Sequence, residues 1–228
     1  MSIFLINPYI YQVTDTPVDR IANAEAMSFN GTDAYIDTGA TPSSLNLPYN
    51  TVTDSDFSIS FWYYFDTNQN YDPIIQATSH AINGFGVWQS STNTASLNFW
   101  VGHFSSGSLN TSQLTSGTWY HIACVFEGGA THTQKIYVDG VLNNSVSYIT
   151  SNVIHSGRNC LIGGQTFQAR YFSGKLDELA IFNTALSGPK IQQIYDATAV
   201  VDGVPQTANL FTGGLSSSLV YWNRMGDS

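Results

Sequence analysis

The sequence predicts an all-β sandwich of antiparallel sheets, and three features predict it. Phe57, Ile59, Phe61, Tyr63 and Phe65 alternate with Ser58, Ser60, Trp62 and Tyr64, so one face of that strand is apolar and the other mixed. Lys135-Ile136-Tyr137-Val138 runs into Asp139-Gly140 and then Val141-Leu142, a strong short-range hairpin signal. Turn-rich segments separate the apolar runs, and no helical pattern intervenes until residue 189, which argues against a parallel α/β fold.

Taken in order, residues 1–20 read as an arm interrupted by Pro8 and Pro17, with Tyr9 and Tyr11 as its docking groups. Residues 26–29 open the sandwich, and the turn Asn30-Gly31-Thr32-Asp33 leads into a short strand at 34–37 and a loop rich in Pro and Ser. After the alternating run, strands are expected at 73–77, 84–89, 96–104 and 119–126. The last carries bulk on both faces, Trp119, His121, Ala123 and Val125 against Tyr120, Ile122, Cys124 and Phe126, which predicts a central strand. Packing accounts for Trp119 and His121 there. Residues 160–164 and 172–182 are further strands. Ser187 caps a helix over 189–197 with Ile191, Ile194 and Tyr195 on one stripe, and 204–218 is a connection rich in Gly, Ser and Thr. The chain therefore divides into an arm (1–20), a sandwich domain (21–198) and a tail (199–228).

Composition narrows the function. A net charge of −9 with seven Lys and Arg disfavours nucleic-acid binding, and no apolar run reaches membrane-spanning length. The N-terminus lacks a basic residue before its apolar run and a small-residue cleavage site, so no secretory signal is expected. Cys124 and Cys160 sit in apolar runs and read as buried thiols in preference to a disulfide.

The search for reactive groups finds no enzyme. Paired acids on one strand face would serve a glycosidase, but Asp177 and Glu178 are adjacent and so point to opposite faces. The histidines at 80, 103, 121, 132 and 155 have no metalloprotease spacing. Sugar binding needs exposed rings for stacking and amides for hydroxyls. The candidates are Trp62, Tyr64, Trp88, Trp100 and His103, with Asn83 and Asn98 nearby in sequence. Asp177 shares its strand face with apolar neighbours and needs either a cation or backbone donors.

Five blocks carry a family resemblance: 26–36 (Ala-Met-Ser-Phe-Asn-Gly-Thr-Asp-Ala-Tyr-Ile), 57–62, 119–123, 136–140 and 174–187. In this order they resemble the laminin G-like, concanavalin A-like jelly rolls over about residues 24–198. The resemblance implies a jelly-roll β-sandwich of two antiparallel sheets with one short helix near the C-terminus. It also implies a structural calcium held at Asn30, Gly31, Asp33 and Asp177. One departure stands out. The family's opening strand is matched here by Leu219-Val220-Tyr221-Trp222, which leaves three readings: it closes this sandwich, serves a neighbouring subunit, or begins a second copy.

The opening MSIFLINPYIYQ and the closing Tyr221-Trp222-Asn223-Arg224-Met225-Gly226-Asp227 phrase resemble structural proteins of tailed phages, marine ones above all. That resemblance implies a non-catalytic virion surface protein, a capsid decoration or fibre-associated protein with weak adhesion to host glycans, made in the host cytoplasm. Its partners would be other virion proteins or copies of itself, with Tyr9, Tyr11, Tyr221 and Trp222 as assembly contacts. A free-standing extracellular carbohydrate-binding module is the alternative, and a glycosidase the third reading.

Overall fold

The computed structural model describes residues 17–47, 55–67, 71–79, 82–90, 95–102, 108–148, 157–201 and 204–226. Tyr9, Tyr11 and His103 lie outside the described residues, as does the side chain of Asn83. The first half comprises β1 (Arg20–Ala22), β2 (Met27–Asn30), β3 (Ile36–Asp37), β4 (Phe57–Phe65), β5 (Pro73–Ser79), β6 (Ile82–Gln89), β7 (Leu97–Gly102) and β8 (Leu109–Asn110). Then come β9 (Tyr120–Glu127), β10 (His132–Val138), β11 (Val141–Tyr148), β12 (Leu161–Ile162), β13 (Gly164–Gln165), β14 (Arg170–Tyr171) and β15 (Ser173–Phe182). Helix α1 (Gly188–Asp196) is followed by β16 (Ala199–Val201), β17 (Val204–Ala208) and β18 (Leu219–Asn223).

Two sheets face each other. One runs β11-β10-β9-β4-β15-β18, with β2 also on β15, and the other β3-β12-β5-β6-β7-β8. The predicted apolar row of β4 is the centre of the core: Phe57, Ile59, Phe61, Tyr63 and Phe65 are at most 2% exposed. They pack with Phe85, Val87, Phe99, Ile122, Cys124 and Leu176. Each such side chain contributes about 1.5–3 kcal/mol by leaving water. Cys124 and Cys160 are buried free thiols. At the hairpin, Asp139 and Gly140 have φ of 50° and 79°, the left-handed pair a two-residue turn needs, and Val138 faces Val141.

The outer face of the seven-stranded sheet is partly roofed. Ala123, Val125, Tyr137, Ala180 and Phe182 lie under Leu186, Ile191, Ile194, Ala208, Leu210 and Leu215. The roof consists of α1, capped by Ser187 Oγ accepting from Lys190 N at 3.3 Å, and a small sheet of order β1-β17-β16. Residues 204–208 were expected as connection and are instead the middle strand of that sheet. Pro205 and the brevity of the run hide a strand from periodicity; its pairing with residues far away in sequence makes it one.

β15 organises the sheet's far edge. Its first half pairs with β2, from Ser173 with Asn30 to Leu176 with Met27. Its second half pairs with β18, from Leu179 with Asn223 to Phe182 with Leu219. Between them the ladder to β4 slips at Asp177–Ala180, with Glu178 at φ 51°. The C-terminal strand thus lies end to end with β2, on the same edge of its own chain's sheet.

Candidate functional site

Beyond the roof the outer face of the seven-stranded sheet is open, and the register aligns four side chains there. Tyr63 pairs with Tyr120 across β4 and β9, so Tyr64 falls opposite Trp119. Lys175 on β15 faces Tyr64 on one side and Ser28 on the other. Alternation places all four outward, because their neighbours Tyr63, Tyr120, Leu176, Met27 and Phe29 belong to the core. The Trp119 and Tyr64 rings are 5.5 Å apart, and Lys175 Nζ lies 5.5 Å from the Tyr64 ring centre. Trp119 is 37% exposed, Lys175 and Ser28 are exposed, and Tyr64 is half-buried. The result is a ledge of two rings, a cation and a hydroxyl.

One step inward lies a second row. Trp62 is opposite His121, with ring centres 5.4 Å apart, and it stacks on Tyr195 of α1 at 6.0 Å. Trp62 also pairs with Asp177, whose Oδ2 accepts from Asn23 Nδ2 at 2.8 Å and whose Oδ1 accepts from Glu178 N at 2.8 Å. The helix therefore forms a wall, and the aromatic surface runs from Tyr195 through Trp62 to the ledge.

Deeper still, Ser60 Oγ and His121 Nε2 are 2.9 Å apart, and Glu178 lines the same cavity. These residue types serve nucleophilic catalysis elsewhere. Here the cavity of about 10 Å³ is enclosed by Ile194, Thr207, Ala208 and Leu210, room for one water and no substrate. Burial lowers His121 to about 4, so its ring is neutral. Burial raises Glu178 to about 7, Asp177 adds to the rise, and Trp222 and Arg224 oppose it. Trp222 Nε1 donates to Glu178 Oε2 at 2.6 Å and Arg224 Nε to Oε1 at 3.2 Å, so this carboxyl fastens β18.

The family model described as the concanavalin A-like lectin/glucanases superfamily matches residues 30–192. The chain belongs to the concanavalin A-like lectin/glucanases superfamily. No curated protein matches it. Among solved structures it is similar to the CBM40 of the Ruminococcus gnavus IT-sialidase bound to α2,3-sialyllactose. The TM-score is 0.59 at 13% identity, over 78% of this chain and 99% of that one. A candidate carbohydrate-binding protein from Bacteroides ovatus superposes with TM-score 0.57 at 14% identity, over 92% of this chain. The chain spans 53% of that protein's length. The heptameric SAP-like pentraxin of Limulus polyphemus gives 0.51 at 16%, over 80% of this chain and 83% of the other. At these identities the likeness is one of fold.

In this concanavalin A-like sandwich the sugar-binding candidates read from sequence separate. Trp62 and Tyr64 belong to the surface just described. Trp88, Asn98 and Trp100 lie on the outer side of the six-stranded sheet, where Trp88 is 8%, Asn98 6% and Trp100 2% exposed. Both indole Nε1 atoms lean over Gly86: a Cβ there would lie 2.6 Å from Trp88 and 3.0 Å from Trp100. The two tryptophans are packed against each other edge to face at 6.0 Å, so their faces are not a platform for stacking. Trp119, read from sequence as a packing residue, is the exposed ring instead. Its signal was the shared face with His121, which becomes informative only once the strand is laid beside Tyr64.

The four residues matched to a calcium site are not brought together. Asn30 Oδ1 accepts from the N–H groups of Thr32, Asp33 and Ala34, and Asn30 Nδ2 donates to Asp33 Oδ1 at 2.8 Å, closing the turn on itself. Asn30 sits opposite Ser173, four residues from Asp177, about 13 Å along a strand. Gly31 N is spent on Phe172 O. Tyr221 packs toward the core and Trp222 packs on Phe211 at 5.2 Å, so both rings are engaged within the chain. A groove of about 460 Å³ runs beside them, lined by Ile21, Phe211, Leu219 and Arg224 among others.

Proposed function

We propose that the protein is a non-catalytic glycan-binding module whose ligand lies along Trp119, Tyr64, Lys175 and Ser28. The observation that carries this reading is the register that sets four complementary side chains in one exposed row. Three strand spacings give the row a length of about 14 Å. Apolar sugar faces stack on rings, while the ammonium and the hydroxyl meet the ring substituents. Two of the similar folds come from proteins described by carbohydrate recognition, which supports the same class of ligand. The absence of catalysis is part of the proposal: the Ser60–His121 pair is walled in, and Glu178 is committed to Trp222 and Arg224.

The finer setting is a virion surface, with the module serving as a capsid decoration or fibre-associated adhesin. Its support is the wording of the chain's two ends, and a free-standing module is the alternative. Glycan-array binding of the intact protein, repeated with Trp119→Ala, tests the ligand class. Electron microscopy with labelled antibody on purified particles tests the setting.

A further inference from the structure

Resting on the ledge as a glycan site, a second question is which sugars it takes, and Lys175 bears on it. The chain has seven Lys and Arg against sixteen Asp and Glu. Lys135 pairs with Glu127, and Arg224 with Glu178. Lys190 Nζ donates to Gln193 Oε1 and Gly213 O at 2.9 Å each. Arg20 donates to Ala197 O and Asp196 O, and Arg170 to Tyr71 O. Lys175 differs. Its ammonium rests over the Tyr64 ring and has no oxygen partner among the described residues. Asp177, two residues along the same face, has its carboxylate turned to Asn23 and to Glu178 N.

In an acidic protein an exposed cation would ordinarily be drawn to one of the surplus carboxylates. This one is instead held over the Tyr64 ring, where a sugar stacked beside it would bring its substituents within reach. At physiological ionic strength charges further than about 8 Å away are screened, so most of the net negative charge is not felt at the ledge. Asp177, about 7 Å along the strand, is within that range but has its carboxylate turned to Asn23 and Glu178 N. We infer that the ledge selects saccharides bearing an anionic group, a carboxylate or a sulfate ester, with Lys175 as the selecting residue. The ion pair is charge-assisted but partly exposed, which sets the preference at about fivefold over a neutral counterpart.

The test is binding of matched pairs to the intact protein at physiological salt. The probes are 3′-sialyllactose and 3′-sulfolactose against lactose, and oligogalacturonate against its methyl ester. The expected result is tighter binding of the charged member, with the charged-to-neutral affinity ratio falling to one in Lys175→Met and kept in Lys175→Arg. A preference confined to sialylated and uronate probes assigns the carboxylate; one confined to the sulfated probe assigns the sulfate. Equal binding of charged and neutral members, abolished by Trp119→Ala, would overturn the selection and leave the glycan site standing. A preference that persists in Lys175→Met would also overturn it. No binding of any probe would overturn both.

Discussion

Trp222 donates its indole N–H to Glu178 across 2.6 Å, so the last strand is fastened to the bulge in β15. Arg224 adds a second bond to the same carboxyl and a third contact to Ala22 O, which ties the strand to the segment before β2. One titratable group therefore holds the sheet's composite edge.

Its pH dependence follows. Glu178 rises from an ordinary 4.5 to about 7 on folding. The folded chain holds this proton more tightly, so the contribution is full below about pH 4.5 and is lost as pH rises through about 7. Asp72, raised by burial to about 6, acts with the same sign. His121 opposes them: lowered to about 4, it stabilises above pH 6.5 and loses that contribution as pH falls. Glu178→Gln removes only the first. Its unfolding free energy relative to wild type should increase between pH 5 and 8 by on the order of 2 kcal/mol. Urea titrations at several pH values measure it, and a constant difference would contradict the assignment.

Trp222→Ala removes a half-buried ring and one of the two groups bonded to Glu178. The expected cost is about 2–4 kcal/mol in urea unfolding, with Trp222→Phe recovering part of it. A loss below about 0.5 kcal/mol would mean the strand is held by its backbone ladder alone.

Gly86→Ala places a methyl 2.6 Å from Trp88 Nε1 and 3.0 Å from Trp100 Nε1, closer than such atoms sit. The indoles must shift, at about 1–3 kcal/mol, with a change in the near-ultraviolet dichroism of tryptophan. Because that face is on the other sheet, glycan binding should be unchanged. A loss of binding in a folded Gly86→Ala protein would move the site there.

How far the sequence reached depends on the range of the interaction. The alternation at Phe57–Phe65 and the Asp139-Gly140 turn are local, and both are found where periodicity and turn chemistry put them. The helix start follows from Ser187 in the same way, one residue earlier than expected. What stayed hidden is set between distant strands. Leu219–Asn223 joins the half of β15 that follows the slip at Asp177–Ala180, and an adjacent acid pair gives no hint of a bulge. The sequence offers Trp88 as a ring for stacking and assigns Trp119 to packing; cross-strand neighbours show the first packed and the second open. Lys175 lies in the 174–187 block with no binding role read for it; it matters because Tyr64 and Ser28 flank it.

Asn30 Oδ1 accepts from the N–H groups of Thr32, Asp33 and Ala34, and Asp33 Oδ1 accepts from Asn30 Nδ2. Asp177, about 13 Å along the strand, accepts from Asn23 Nδ2 and Glu178 N. Calcium at millimolar concentration and a chelator should therefore give the same thermal midpoint. A rise of several degrees with calcium would show ligands assembling in a way this arrangement does not provide.

The most direct test is binding of the intact protein to its best array glycan, measured by calorimetry for wild type, Trp119→Ala and Tyr64→Ala. Both variants should remain folded by far-ultraviolet dichroism, Trp119 because it precedes β9 and is 37% exposed. The prediction is a loss of affinity of about tenfold or more in each, the scale of one stacked ring. Unchanged affinity in both folded variants would contradict the ledge as the binding site.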